Sequence, residues 1–140
     1  MRGRPVSRRL MTVACGVLLL GTSAAAHHSI AAYYDRSKEV TIDAVVTRVQ
    51  FVNPHPFLWV DVTRADGGTT AWRLEMDNRG ELVRAGLAAD TLRSGDRVRV
   101  RGSVARSQPN ELYISRLERP SDGLLYEQVG GSPRVTRRGT

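Results

Sequence analysis

The sequence predicts an all-β domain carrying one short helix, and three observations predict it. Apolar and polar residues alternate over several short stretches, the period of a half-buried strand. Clusters of Gly, Asp, Asn and Pro punctuate those stretches, as turns between strands require. Only the segment from Asn78 to Gly86 combines a helix start, an apolar face and a helix stop.

The elements follow in order. From Val40 the chain reads as a strand, with Val40, Ile42, Ala44 and Val46 on one parity. Val45, Val49 and Phe51 then continue on the other. A phase slip within one long strand predicts a β-bulge or a sharp bend. Val52-Asn53-Pro54-His55-Pro56 ends it, because proline donates nothing to a ladder. The second strand runs from Phe57 to Thr63, with Leu58, Val60 and Val62 on one face and Phe57 and Trp59 on the other. Asp66-Gly67-Gly68 is a hairpin signal. Thr70 to Met76 is the third strand, with Trp72, Leu74 and Met76 on one side.

Asn78 is the expected N-cap of the helix. Glu81 sits where a capping box requires it, and Gly86 is a natural stop. Leu82, Val83 and Ala85 form the apolar face. Ser94-Gly95-Asp96 turns the chain into the fourth strand, Arg97 to Ala105. Gln108-Pro109-Asn110 loops into the fifth, Glu111 to Leu117. After Pro120 the composition changes to Gly, Ser and Arg. Leu124-Leu125-Tyr126 can dock on the core, and no order is expected from Gly130 onward. Residues 121–140 thus read as a tail behind a domain at 27–120.

Three strands, a helix, then two strands, with a long bent first strand, describe the OB-fold, a five-stranded Greek-key barrel. A small β-sandwich is the alternative, but it leaves the helix unexplained.

The first 26 residues stand apart. Arg2, Arg4, Arg8 and Arg9 precede an apolar run from Leu10 to Leu20, and Ala24-Ala25-Ala26 follows. That is the layout of a cleavable secretory signal, and the run is too short for a permanent membrane span. Ser7-Arg8-Arg9-Leu10-Met11 partly matches the twin-arginine export motif. Cleavage after Ala26 makes His27 the mature N-terminus and predicts a periplasmic or secreted protein. It also removes Cys15, the sole cysteine, and with it any disulfide or thiolate site.

Charge points away from nucleic acid. The formal charge is +7, but the leader's four arginines and Arg134, Arg137 and Arg138 supply all of it. Residues 27–130 are neutral, so the domain has no polyanion-binding balance.

His27-His28-Ser29, Asp35, Asn53-Pro54-His55, Trp59, Trp72, Glu75 and Ser94-Gly95-Asp96 together resemble a family of small exported bacterial proteins of uncharacterised function. The likeness covers residues 27 to 118. Where that family tends to have a proline, this chain reads Met76-Asp77-Asn78-Arg79. The resemblance implies the exported location and the OB-fold-like domain. It implies no activity.

The chemistry lies in three histidines. An N-terminal His27 offers its amine and ring Nδ1 as a chelating pair, and one further imidazole completes a three-nitrogen histidine brace. Such ligands favour Cu(II). His55, stiffened by Pro54 and Pro56, is the expected partner, with His28 as substitute and Glu75 or Asp35 as an axial oxygen. The plain alternative is that His27 and His28 are a solvated terminus, His55 braces its own turn and Asn53 caps it. A metal-free module is the other function class. OB-folds bind saccharides or protein segments over the second and third strands, where Phe57 and Trp59 offer a stacking surface beside Asn53. Catalysis is the third class: a brace copper can be redox-active, which allows an oxidative role, but there is no phosphate-binding glycine loop, nucleophile elbow or His-Glu-x-x-His helix.

Overall fold

The computed structural model describes residues 30–138. A helical turn at 30–33 leads into β1 (Tyr34–Gln50). Then come β2 (Phe57–Thr63), β3 (Thr69–Glu75), α1 (Arg79–Arg84), β4 (Arg97–Ala105), β5 (Glu111–Arg119), β6 (Leu124–Val129) and β7 (Ser132–Arg137). The protein is all-β. Its strands lie in the order β3-β2-β1-β4-β5-β6-β7, each antiparallel to the next, and β3 also pairs in parallel with β5. Each of the first five strands therefore has a neighbour along both edges.

Alternation places the core. Leu58 and Val60 of β2, Leu74 of β3, Val98 and Val100 of β4, and Leu112, Ile114 and Leu117 of β5 are buried. Each fully buried side chain of this size contributes about 1.5–3 kcal/mol. Leu82 brings α1 onto the same cluster, while Val83 is half exposed and does not share the expected apolar face. Asn78 caps the helix as expected, accepting from the N–H groups of Gly80 and Glu81. The reciprocal half of the capping box is replaced: Asp77, not Glu81, accepts from the Asn78 N–H at 2.7 Å.

The phase slip in β1 is a bulge, with the register against β2 shifting between Val46 and Arg48. The Ser94-Gly95-Asp96 turn docks there. The Val46 N–H donates to the Asp96 carbonyl at 2.9 Å, and the Gly95 N–H donates to the Val46 carbonyl at 2.8 Å. Gly95 has φ +90°, which a side chain would strain. Gly102 is needed for a different reason. A Cβ there would meet the Tyr113 carbonyl oxygen at 2.4 Å, so only glycine lets β4 approach β5 at their register shift.

β3 is displaced by one residue from expectation, to Thr69–Glu75, and three differences are larger. β1 begins at Tyr34, six residues before Val40, because residues 34–35 pair with the end of β4 across a second irregularity. β5 continues past Leu117 to Arg119. The largest difference lies after Pro120. Leu124 and Tyr126 are buried as expected, but they belong to a sixth strand, and Gly130-Gly131 turn the chain into a seventh. Residues 132–137 are thus an edge strand rather than an unstructured tail. Pro133 is tolerated because an edge strand needs no N–H on its open side.

Arg119, only 9% exposed, fastens this end of the molecule. Its Nε and Nη2 donate to the two carboxylate oxygens of Asp122 at 2.9 and 2.8 Å, and its Nη1 donates to the Thr91 carbonyl and to Asp96. The guanidinium in turn lowers the Asp122 carboxyl to about 2.

Candidate functional site

The His55 loop is held by backbone bonds on both sides. The Pro54 carbonyl accepts from the Arg79 N–H and the Pro56 carbonyl from the Met76 N–H, each at 2.9 Å. The Asn53-Pro54 peptide is cis. The two backbone hydrogen bonds fix the loop to the end of β3 and the start of α1.

His55 Nδ1 lies 2.9 Å from the Met76 carbonyl oxygen. A carbonyl only accepts, so Nδ1 carries the proton, and in the neutral ring Nε2 is a free lone pair. Among the described residues Nε2 has no hydrogen-bond partner. Glu75 reaches the same Nδ1 edge, with Oε1 at 3.3 Å. Its other oxygen accepts from the Tyr34 hydroxyl at 2.7 Å. Both side chains are nearly buried, His55 at 12% and Glu75 at 14% exposure.

Tyrosines surround this pair. The Tyr113 ring is 5.6 Å from that of Tyr34 and 6.5 Å from the His55 ring. Its hydroxyl accepts from Gln128 Nε2 at 3.0 Å. Burial first, then the Glu75 hydrogen bond, pushes the Tyr34 hydroxyl far up, so it stays a donor at neutral pH. Burial also raises Tyr113, helped by the nearby Asp77 charge. Beside them, the Tyr33 hydroxyl and Arg73 Nη2 both donate to Glu111 Oε2, at 2.6 and 2.7 Å.

The expected site residues divide accordingly. The fold brings His55 and Glu75 together where the β1–β2 loop meets the end of β3. Asp35 is committed elsewhere: it accepts from the N–H and hydroxyl of Ser37, which lower its carboxyl, and lies near Lys38 and Arg106. Asn53 is exposed and makes no side-chain hydrogen bond among the described residues. Phe57 and Trp59 are neighbours, 6.1 Å apart, but their rings are already in use. The Arg48 guanidinium sits 3.5 Å from the Trp59 centroid and that of Arg73 5.1 Å from the Phe57 centroid. His27 and His28 lie outside the described residues. Among those described, no group of three or more His, Cys, Asp or Glu is arranged to hold a metal ion.

Sequence reasoning missed Tyr34, Tyr113 and Gln128. Tyr34 is 41 positions from Glu75, and no local pattern announces a contact across that separation. The adjacent pair Tyr33-Tyr34, close behind His27-His28-Ser29, was the one available hint.

The fold and site thus define a small all-β protein with a fixed imidazole at the mouth of one loop. The chain belongs to DUF6152, a family of unknown function whose model matches residues 14–111. The match takes in the Asn53-Pro54-His55 and Ser94-Gly95-Asp96 turns and ends at the start of β5. No curated protein and no solved structure matches the chain.

Proposed function

We propose that this is an exported protein with an OB-fold-type barrel that binds Cu(II) through His27 and His55. The strand pairing supports the fold assignment. Five mutually paired strands, a parallel β3–β5 contact and a helix between β3 and β4 fit the Greek-key barrel, with β6–β7 added as a hairpin.

The observation that carries the metal reading is the commitment of His55 Nδ1 to the Met76 carbonyl. A ligating histidine donates its other ring N–H to a carbonyl or carboxylate, which sets the tautomer and aims the free nitrogen. His55 has both partners on that edge. Glu75 therefore serves as support behind the ring rather than as the axial ligand. His27 would bring its amine and Nδ1, with His28 as the alternative imidazole. His27 precedes the helical turn at 30–33 by three positions, a reach of up to about 11 Å beyond that turn. Tyr34 is joined to His55 through Glu75 and through the Tyr113 ring packed between them. Binding would weaken below about pH 6, where amine and imidazoles hold protons more tightly than metal.

The test is the Cu(II) EPR spectrum of protein beginning at His27, beside a chain extended by one residue. A type 2 spectrum with nitrogen hyperfine structure, lost on extension, is expected. Aqueous-like copper in both would sink the brace. The β2–β3 face around Trp59 would then be tested for a protein or saccharide partner in the periplasm.

A further inference from the structure

We infer that Glu75 is a positioning residue: it latches the chain's N-terminal approach to the His55 loop. Its two carboxylate oxygens divide between two distant parts of the chain. Oε2 takes the Tyr34 hydroxyl at 2.7 Å, and Oε1 stands 3.3 Å from His55 Nδ1. The Tyr113 ring also lies against both Tyr34 and His55, at 5.6 and 6.5 Å, but among the described residues only Glu75 meets the two through polar atoms.

The approach is held at further points, all consistent with a docked strap. The Tyr33 hydroxyl donates to Glu111, itself bound by Arg73. The Arg106 N–H donates to the Tyr33 carbonyl at 2.9 Å, and Arg106 Nη2 to the Ala31 carbonyl at 3.4 Å. The Tyr33 and Tyr34 rings meet edge to face at 4.8 Å. Yet only the Tyr34 contact reaches His55. Tyr33 and Arg106 can hold the strap, whereas Glu75 sets the strap and the imidazole relative to each other.

The chemistry requires a carboxylate. Glu75 accepts from the Tyr34 O–H on one oxygen, and its other oxygen faces the edge of His55 whose Nδ1–H is donated to the Met76 carbonyl. Glutamine keeps the shape but turns one end into a donor. If its oxygen keeps Tyr34, its amide faces the Nδ1–H of His55, donor against donor. If it flips, it meets the Tyr34 hydroxyl instead. The latch is read from these contacts alone. Its use, bringing a metal-binding N-terminus to His55, rests on the copper reading above.

The experiment uses mature protein from His27 without metal, then with Cu(II). Long-range ¹H–¹⁵N NMR reads the His55 tautomer, and amide hydrogen exchange reads residues 31–35. Wild type should show the Nδ1–H tautomer and protected amides. Glu75→Gln should mix the tautomers and speed that exchange about tenfold, the loss of one good hydrogen bond. Tyr34→Phe, which keeps the ring, should speed the exchange while leaving the tautomer. Each variant should weaken Cu(II) by about 10–100-fold. An unchanged tautomer and unchanged exchange in Glu75→Gln would overturn the latch, whatever copper does. A responding tautomer with unaltered copper affinity would overturn its coupling to the metal. Failure of the EPR test would leave the metal-free readouts standing on their own.

Discussion

Arg119 and His55 each anchor a polar cluster at a turn, and the two clusters end differently. Arg119 makes four hydrogen bonds, to Asp122 twice, to Asp96 and to the Thr91 carbonyl. It joins the β4 entry turn to the β5–β6 turn and finishes there. His55 spends one ring nitrogen on the Met76 carbonyl and Glu75, and none of the described residues takes the other. A closed cluster holds the fold. A half-closed one, stiffened behind an open nitrogen, is where a ligand gains without a reorganisation cost.

That contrast is broken or sharpened by removing each centre. Arg119→Met should cost the most stability. It strands the Thr91 carbonyl and leaves Asp96 only the Arg93 N–H, and breaking such a pair costs about 2–4 kcal/mol at this partial exposure. A urea midpoint well below wild type, with Cu(II) affinity unmoved, is expected; a shift under 0.5 kcal/mol would show the cluster to be decorative. The same variant carries a pH signature. Asp122 is lowered to about 2 in the folded protein, against about 3.9 for a free side chain. A depressed carboxyl stabilises above its unfolded value and loses that contribution as pH falls from about 4 to about 2. In Arg119→Met the Asp122 carboxyl, followed by NMR, should titrate near its ordinary value.

His55→Ala should reverse the pattern. The fold loses one hydrogen bond at a loop, about 1 kcal/mol, while Cu(II) affinity falls by at least a hundredfold. Calorimetry and a copper titration of one preparation separate the two. A large stability loss without a copper effect would make His55 another Arg119. The smallest effect belongs to Arg48→Ala. Its cation–π contact with Trp59 is exposed and worth about 0.5–1 kcal/mol. Trp59 fluorescence should shift with its new surroundings, and Cu(II) binding should not.

Much of this was legible in the sequence where local rules operate. β2 and β4 fall where Leu58-Val60 and Val98-Val100 alternate between turns, and the β1 phase slip marks a true bulge. Asn78 caps its helix because the capping oxygen lies within one turn. Legibility fails where partners are remote or composition misleads. Residues 34–39, Tyr-Asp-Arg-Ser-Lys-Glu, show no alternation, since an irregularity interrupts their pairing with β4. The β6–β7 hairpin hides in a Gly- and Arg-rich stretch. Gly130-Gly131 form its two-residue connection, a signal outweighed by the polar tail around it. In the site, His55 and Glu75 could be named from residue type, but their geometry could not. Which edge of the ring Glu75 faces depends on Met76 and Tyr34, fixed only by the packed sheet.

The parallel contact between β3 and β5 also governs time. It joins residues 73–75 to 111–113, and β1 meets β4 across a still longer stretch of chain. Chains dominated by such distant pairings complete folding in milliseconds to seconds, whereas a hairpin such as β6–β7 closes in about 1–10 microseconds. The last pairing to form is then β1 against β4, the one that carries Tyr34 to Glu75. Until it does, the Glu75 carboxylate beside His55 has no Tyr34 hydroxyl to hold it.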